Sequence, residues 1–550
     1  MTARSVTLFT GLRAYALVDA TRPVVEAMAV AGEWILATGT AAELAAAFPA
    51  HRRIDLGGRT VLPGLTDSHV HFLSYGLQLR RVELRDTRSL AEAVQMVAPA
   101  AAGVPEGSWV IGRGWDKNLW AEGRWPTRDD LDPVSAGRPV ALTSKDGHLL
   151  WVNSAALARA AIGPETPSPK GGEIVRDAAG RPTGLLKEEA RALVQAVIDR
   201  PDPGALRRAL EEATAAAHRL GLVGVHSMVR DGPWPDAFAL LQETRQQGAL
   251  RMRVWITIPL DQLDRAAALG LRTGLGDHWL RVGGVKIYAD GTLGSQTASM
   301  LEPFEGQPGN TGVPIHTADE LRDLVGRVVA AGLWPVIHAI GDRANRDVLD
   351  AFAGHHAAVR RAGVRFRIEH VQLLHPADLP RLAELGVIAS MQPIHCTSDR
   401  DIADRYWGGR SRTAYVWRSL LRTGAVLAFG SDVPVETIDP WQGLYAAVSR
   451  RRPDEPRAGW YPEEALTVEE AVRAYTVGAA YASGDEDIKG SLTPGRLADF
   501  IVLDRDVMTE GPADPESLLQ VRVLATVIGG EVVHATGPLA GIDGVMAPLA

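Results

Sequence analysis

The chain has 550 residues, 46% of them apolar and 23% charged, which is enough to bury a large core and to form more than one domain. The net charge of −8 is mild and mixed along the sequence, so no basic surface for nucleic acid is indicated. The single cysteine, Cys396, excludes an intramolecular disulfide and a cysteine-rich zinc module.

Targeting and membrane segments are not evident in the sequence. The N-terminal residues lack the apolar core and cleavage site of a signal peptide. No run of about 18 apolar residues indicates a membrane span. We therefore expect a cytoplasmic protein.

Short β segments occupy both ends of the chain. Because neither set is large enough to bury a face alone, we expect residues 1–62 and 488–550 to form one small composite β-sandwich domain. The predicted strands are Val6–Thr10, Ala14–Val18, Ala27–Val30, Trp34–Ala37, Asp499–Leu503, Val521–Ile528 and Glu531–His534.

Between these ends, in residues 63–487, apolar β runs alternate with helical stretches. Eight such β units predict a (β/α)8 barrel of the TIM type. A doubly wound open sheet is the alternative, but it would favour a glycine-rich phosphate turn after the first strand, which this sequence lacks. The β runs are one ending at His71, then Gly221–Val225, Met252–Ile258, Val282–Ile287, Trp334–Ile337, Val364–Ile368, Val387–Met391 and Ala425–Phe429.

Residues 76–210 do not follow this alternation. They contain Pro/Gly-rich turns and β runs of their own, so we expect an inserted capping subdomain after the first barrel strand. Trp115, Trp120, Trp125 and Trp151 lie in this insertion. If it covers the mouth, they favour an apolar or aromatic group on the substrate.

The first barrel strand ends in the sequence Leu62-Pro-Gly-Leu-Thr-Asp-Ser-His69-Val-His71. Alternate side chains of a strand point to the same face, so His69 and His71 are expected to project together. Two neighbouring imidazoles form half of a zinc site. The alternative is a polar pair that faces solvent.

Four further chemically active residues end other β runs: Lys286 the fourth, His338 the fifth, His370 the sixth and Asp432 the eighth. In a barrel these ends converge on one mouth, where catalytic groups lie. A single histidine after an apolar run is usually a hydrogen-bonded core residue. The set together predicts a metal centre.

Lys286 is one of only six lysines in the chain. A charged ammonium would be repelled by a divalent cation, so Lys286 can be a ligand only if it is deprotonated and carbamylated to a bridging carboxylate. Alternatively, it forms an ion pair with Asp290 or Glu369 beside a single metal. The residues alone leave both alternatives open.

Eight segments of the chain together resemble the amidohydrolase superfamily, and within it the YtcJ-like branch that includes N-substituted formamide deformylase. The resemblance extends from about residue 24 to residue 534. It implies a metal-bearing barrel, two Zn²⁺ ions and a carbamylated Lys286. The segments that carry it are LPGLTDSHVHF, DGHLLWVNSAAL, VKIYADGTLGSQTA, HAIGDRAN, RIEHVQ, MQPIH, GSDVP and GSLTPGRLADFIVLD.

The resemblance also implies a role for each matching residue. His69, His71 and Asp432 would bind the more buried metal. His338 and His370 would bind the second, with Lys286 bridging. Hydroxide on the metal would attack a carbonyl polarised by the other metal, and Asp432 would shuttle the proton to the leaving nitrogen.

Other residues are candidates for contact with substrate, each with a structural role as its alternative. They lie in the insertion or at strand ends that face the mouth. They are His148, Tyr288, Asp290, Gln392 and His226.

The sequence therefore predicts a metal-dependent amidohydrolase that cleaves an amide C–N bond of a small molecule, such as an N-substituted formamide or an N-acyl amine. The same centre could act on a lactone or other ester, on a cyclic amide, or as a deaminase. A non-catalytic binding protein is a further alternative. We expect no nucleic-acid or membrane partner, and a homodimer is allowed.

Overall fold

A computed structural model of the chain describes residues 6–18, 23–85, 87–144, 149–169, 172–198, 201–229 and 234–541. The chain forms two compact units. The first comprises Met1–Tyr75 and Leu210–Ala550, and the second comprises Gly76–Ala209. Strands and helices are numbered below along the whole chain.

In the first unit, strands from both ends of the chain form one mixed sheet of eight strands. The N-terminal strand β5 (His51–Pro63) pairs antiparallel with the C-terminal strand β20 (Phe500–Leu503), with Pro63 opposite Phe500. The predicted composite domain is thus confirmed. Its strands are β1 (Val6–Tyr15), β2 (Val24–Val25), β3 (Ala27–Ala31), β4 (Trp34–Gly39), β5 (His51–Pro63), β20 (Phe500–Leu503), β21 (Val523–Ile528) and β22 (Glu531–Ala535), and its helices are α1 (Ala41–Ala47) and α18 (Val507–Glu510).

The first strand, β1, differs from the prediction of two strands. The chain continues through Gly11 with a shift of register between Thr10 and Leu12. Gly11 has φ +58, and a Cβ there would lie 2.1 Å from Oδ1 of Asp55. Only glycine fits this bulge without strain, so the residue interrupts the apolar alternation without ending the strand.

The rest of the first unit is the predicted (β/α)8 barrel, whose eight strands are parallel and follow chain order around the sheet. Backbone contacts also bring the last strand to the first, since the amide of Asp432 donates to the carbonyl of His69 at 2.7 Å. The strands are β6 (Leu65–Val70), β13 (Leu222–Ser227), β14 (Arg253–Pro259), β15 (Leu280–Tyr288), β16 (Pro335–Ala339), β17 (Phe366–His370), β18 (Val387–Met391) and β19 (Val426–Phe429).

The barrel helices begin and end at ordinary sequence signals. Thr317 and Glu320 form a capping box at the start of α10, and Gly363 ends α11 with φ +65. The helices along this part of the chain are α2 (Phe72–Leu79), α7 (Pro203–Arg219), α8 (Trp234–Gln246), α9 (Leu263–Ala268), α10 (Ala318–Ala330), α11 (Asp342–Ala362), α12 (Leu379–Leu385), α13 (Pro393–Trp407), α14 (Trp417–Thr423), α15 (Pro440–Ser449), α16 (Val468–Tyr475) and α17 (Val477–Ser483).

The second unit has a six-stranded sheet and lies in sequence between the first and second barrel strands. Trp115, Trp120 and Trp151 are buried in its own core, with ring centroids 5.8 to 6.2 Å apart. They therefore give no support for an aromatic substrate. The elements are β7 (Val82–Glu83), α3 (Leu90–Gly103), β8 (Val110–Trp115), α4 (Arg128–Leu131), β9 (Val140–Ser144), β10 (Leu149–Val152), α5 (Ser154–Arg159), β11 (Gly172–Arg176), β12 (Pro182–Glu188) and α6 (Ala192–Gln195).

Candidate metal centre

His69 and His71 meet Asp432 where the first and last barrel strands adjoin. The Nε2 atom of His69 lies 3.4 Å from Oδ1 of Asp432, and that of His71 lies 3.3 Å from the same oxygen. The donor atoms of the three residues are all within 4.8 Å of one another. Two imidazoles and one carboxylate at this spacing match the donor types of a zinc site.

His370 and His338 continue the cluster on the neighbouring strands. The ring of His370 lies 4.9 Å from that of His69 and 4.6 Å from that of His338, measured between centroids. Lys286 is 2% exposed on β15, with its Nζ 4.9 Å from the ring centroid of Tyr288. The structure thus brings the four predicted histidines and Asp432 into one cluster, with Lys286 buried on the strand beside His338.

Each of the four imidazoles has an oxygen acceptor at one ring nitrogen. In its neutral form, each ring donates N–H to this outer acceptor and has a lone pair on the other nitrogen. Metal-binding histidines have this arrangement, so the residues present fit a divalent cation. The outer contacts are His69 Nδ1 to Glu369 Oε2 at 2.6 Å, His71 Nδ1 to the Met228 carbonyl at 2.9 Å, His338 Nε2 to the Gly291 carbonyl at 2.9 Å and His370 Nδ1 to Gln392 Oε1 at 2.7 Å.

Burial and charge set the protonation of the cluster. Burial lowers the pKa of His338 to about 3, with the Lys286 charge adding to it. Burial and the neighbouring His338 hold the pKa of His370 well below its usual range. Both rings are therefore neutral, as metal ligands must be. Burial alone would raise the pKa of Asp432, but His69 outweighs it and holds that pKa well below the usual range, so Asp432 is ionised.

Glu369 connects His69 to a buried arginine. Its Oε1 accepts from Nε of Arg367 at 2.5 Å while its Oε2 faces His69, and both Arg367 and Glu369 are fully buried. Although burial raises the pKa of Glu369, Arg367 and His69 outweigh this effect and hold it well below the usual range. Arg367 also contacts Ser390 Oγ at 3.0 Å and the Ser68 carbonyl. One guanidinium therefore joins strands β6, β17 and β18 beneath the centre.

The backbone is strained at two predicted ligands. His370 has φ +76 and Asp432 has φ +60, in the left-handed region that non-glycine residues rarely adopt. Such strain is common where a side chain must be aimed at a functional site.

Four of the candidate substrate residues are described, namely Tyr288, Asp290, Gln392 and His226, and they lie close to the cluster with contacts of different kinds. Tyr288 has its ring 5.3 Å from that of His338. Gln392 is engaged with His370, as described above. His226 is buried, and its Nδ1 accepts from Nη1 of Arg367 at 2.9 Å. This contact fits the structural alternative that the sequence left open for His226.

Asp290 is fully buried, and its carboxylate accepts three backbone N–H groups, from Ser299 at 2.8 Å, Ile340 at 3.0 Å and Gly341 at 2.8 Å. Burial raises its pKa to about 7 against these bonds. Asp290 thus fixes the loop after β15 against the end of β16. His148 lies outside the described residues. Substrate contact stays a prediction for all five candidates.

Sequence reasoning missed two residues of this region, Arg367 and His395, and named Glu369 only as a possible ion-pair partner of Lys286. Nε2 of His395 lies 3.6 Å from Oδ2 of Asp432. The signal was present, because the motifs RIEHVQ and MQPIH contain these residues. Their contacts, however, join residues far apart in sequence, which no local pattern reveals.

A (β/α)8 barrel with histidines and a carboxylate at its strand ends, joined to a sheet built from both chain termini, defines the class of metal-dependent hydrolases. Comparison with known families agrees. The model of the amidohydrolase family matches residues 52–534, and a bacterial imidazolonepropionase-like composite domain matches residues 27–50. The chain belongs to the amidohydrolase family.

Individual relatives match over nearly the whole chain. A putative amidohydrolase, YtcJ, of Bacillus subtilis is 32% identical over 88% of this chain and 91% of its own length. The N-substituted formamide deformylase of Arthrobacter pascens is 29% identical over 93% and 95%. An uncharacterized metal-dependent hydrolase from Pyrococcus furiosus has a similar structure, with a TM-score of 0.75 at 30% identity over 92% of this chain and 100% of that chain.

Among the described residues, no helix is both long and apolar enough to cross a lipid bilayer.

Proposed function

We propose that this hydrolase cleaves the C–N bond of a small amide, an N-substituted formamide or an N-acyl amine, with two Zn²⁺ ions bridged by carbamylated Lys286. The observation that carries the proposal is the cluster of four imidazoles, each with an outer N–H contact, around one ionised carboxylate. The similarity to an N-substituted formamide deformylase supports the choice of bond.

The residues of the cluster have separate roles in the proposed reaction. When bound, the metal ions would supply an activated water and polarise the scissile carbonyl. His69 and His71 hold their Nε2 atoms toward Oδ1 of Asp432, which fixes that carboxylate at the centre. Because Asp432 is ionised, it accepts a proton from the attacking water and delivers it to the leaving nitrogen.

Lys286 supports a bridging role through its burial. Its side chain is 2% exposed on the strand beside His338, and carbamylation would convert its amine into a carboxylate that can bind metal. Further proposals come from the sequence. We propose that the protein is cytoplasmic, acts on a small molecule and has no nucleic-acid or membrane partner; a homodimer is allowed.

A substrate panel tests the proposal. Zinc-loaded protein is assayed with formanilides, N-acyl amines and lactones, and the same protein is assayed after removal of metal by a chelator. We expect amide hydrolysis that is lost with the metal and restored when Zn²⁺ is added back. Hydrolysis of lactones alone would contradict the amide assignment, and amide hydrolysis unaffected by metal removal would contradict the metal centre.

A further inference from the structure

His395, which the sequence did not place at the site, lies in the first turn of α13 with 9% exposure. Its Nε2 is 3.6 Å from Oδ2 of Asp432, and its ring lies 6.0 Å from that of His370 at an angle of 25°. Within the described part of the chain, this buried Nε2 has no hydrogen-bond partner. A buried polar nitrogen normally has a hydrogen-bond partner, so one without a partner points to a bound water or ion.

His395 also belongs to a second set of metal donors. The donor atoms of His370, His395 and Asp432 lie within 4.8 Å of one another, as those of His69, His71 and Asp432 do. Asp432 is common to both sets. Its Oδ1 faces His69 and His71, whereas its Oδ2 faces His395. One carboxylate therefore presents one oxygen to His69 and His71 and the other oxygen to His395.

Two glutamines support the second set in a crossed arrangement. Gln392, after β18, contacts Nδ1 of His370 through Oε1 at 2.7 Å, while Gln372, after β17, lies 3.4 Å from Nδ1 of His395 through its side-chain amide. An amide turned about its last bond presents oxygen in place of nitrogen. Gln372 can then accept Nδ1–H of His395, which leaves the lone pair of Nε2 toward Asp432.

We propose that His395 is a metal ligand: with His370 and Asp432 it binds the second divalent cation of the centre. The inference rests on the proposed metal centre and adds His395 to the six ligand positions predicted from the sequence. Two imidazoles and a carboxylate form a donor set suited to Zn²⁺ or Co²⁺. Each carboxylate oxygen has two acceptor sites, so Oδ2 of Asp432 can bind a cation and still accept a proton.

Metal binding by His395→Asn tests the inference. Metal-free protein is dialysed against graded free Zn²⁺, and the bound metal per chain is measured. We expect two ions in the wild type, and in the variant one unchanged site and one site weakened at least about tenfold. His356→Asn, a change at a partly exposed position of α11, is the matched control and should behave as wild type.

A second variant gives a spectroscopic answer. In His395→Cys loaded with Co²⁺, a coordinating thiolate would add a sulfur-to-cobalt charge-transfer absorption that the wild type lacks, because thiolate is a ligand for such metals. Absence of this band, together with full zinc affinity in His395→Asn, would overturn the inference about His395 but leave the proposed function standing. Failure of the wild type to bind any metal would overturn the proposed function as well.

Discussion

The protonation pattern of each imidazole in the cluster is set by a residue outside it. For His69 that residue is Glu369, whose carboxylate lies 2.6 Å from Nδ1 and is itself held by Arg367 at 2.5 Å. Carboxylates in this position orient a metal-binding ring and increase its basicity. Glu369 is thus a positioning residue that acts through His69.

Replacing Glu369 by Gln tests this role. We expect metal affinity to fall by about 10- to 100-fold, because the ring loses its charged partner. The free energy of unfolding should also fall by about 3 kcal/mol, because Arg367 is left buried without its counter-ion. Chelator competition and urea unfolding measure the two effects.

The double variant Arg367→Met/Glu369→Gln separates these effects, since removal of both charges should restore part of the stability but not the metal affinity. Glu464→Gln is the matched control. Glu464 is also buried, with 8% exposure, but it contacts Ser419 instead of a histidine of the cluster. Unchanged metal affinity in Glu369→Gln would show that the carboxylate has no influence on the centre.

Lys286→Arg tests the bridging role of Lys286. Arginine keeps the positive charge but cannot form the carbamate, so two-metal chemistry predicts near-total loss of activity and of one bound metal. A single-metal site beside an ordinary lysine predicts full activity instead. Lys187→Arg, at a partly exposed ion pair with Glu173, controls for the substitution itself. Activity and metal content per chain are measured on the same preparation.

At the scale of elements, the barrel strands were predictable because both of their faces are buried. A parallel strand covered by helices is a continuous apolar run, and all five residues of β16, of β17 and of β18 are buried. The polar residues at the ends of the barrel strands were therefore conspicuous. Together with Lys286 near the end of β15, they made up the predicted metal centre: His69, His71, His338, His370 and Asp432.

The part of the fold and of the site that the sequence did not predict depends on packing between residues far apart in the chain. His69 and Glu369 are 300 positions apart, and a single sequence contains no sign of their contact. His226 ends an apolar run as His338 does, yet it lies against Arg367. At Gly11, the local sequence predicted the end of a strand, whereas in the structure β1 continues through a bulge.

The end of α7 contains a pH-dependent contact away from the metal centre. His218 is buried, its Nε2–H donates to the Arg251 carbonyl at 2.8 Å, and burial lowers its pKa to about 4. The unfolded chain binds a proton here near pH 6.5 and the folded chain only near pH 4. The free energy of unfolding should therefore fall as the pH drops from 6.5 to 4, by at most ~3 kcal/mol.

His218→Gln should flatten this part of the pH dependence, because glutamine can donate to the same carbonyl but does not titrate. Urea unfolding midpoints between pH 4.5 and 7.5 give the slope. His356→Gln, partly exposed on α11, should keep the wild-type slope. Equal slopes in His218→Gln and wild type would contradict the assignment.

At the scale of the whole molecule, one buried ion pair fastens the barrel to the terminal sheet within the first unit. Arg253 of β14 donates to both oxygens of Asp499, at 2.5 and 2.7 Å, just before β20. Asp499 also accepts the amide of Gly529 at 2.8 Å, and Glu33 contacts Arg253 from the N-terminal strands. The pair thus ties together segments from both ends of the chain and from the barrel.

Asp499→Asn should lower the free energy of unfolding by about 3–5 kcal/mol, because it leaves a buried guanidinium without its main partner. Asp319→Asn removes the exposed partner of Arg322 and should change stability by less than about 0.5 kcal/mol. Urea unfolding of both variants beside the wild type measures the difference. Similar costs for the two substitutions would show that the buried pair is not a fastening point.

The pairing of Pro63 with Phe500 has a consequence for biosynthesis. β5 leaves the ribosome about 440 residues before its partner β20. At roughly 5–20 residues per second, its apolar edge stays unpaired for about 20 to 90 s. Unpaired strand edges are sites of aggregation, so the nascent chain is most vulnerable during that interval. Chaperone demand in the cell should therefore depend on the rate of translation through the barrel.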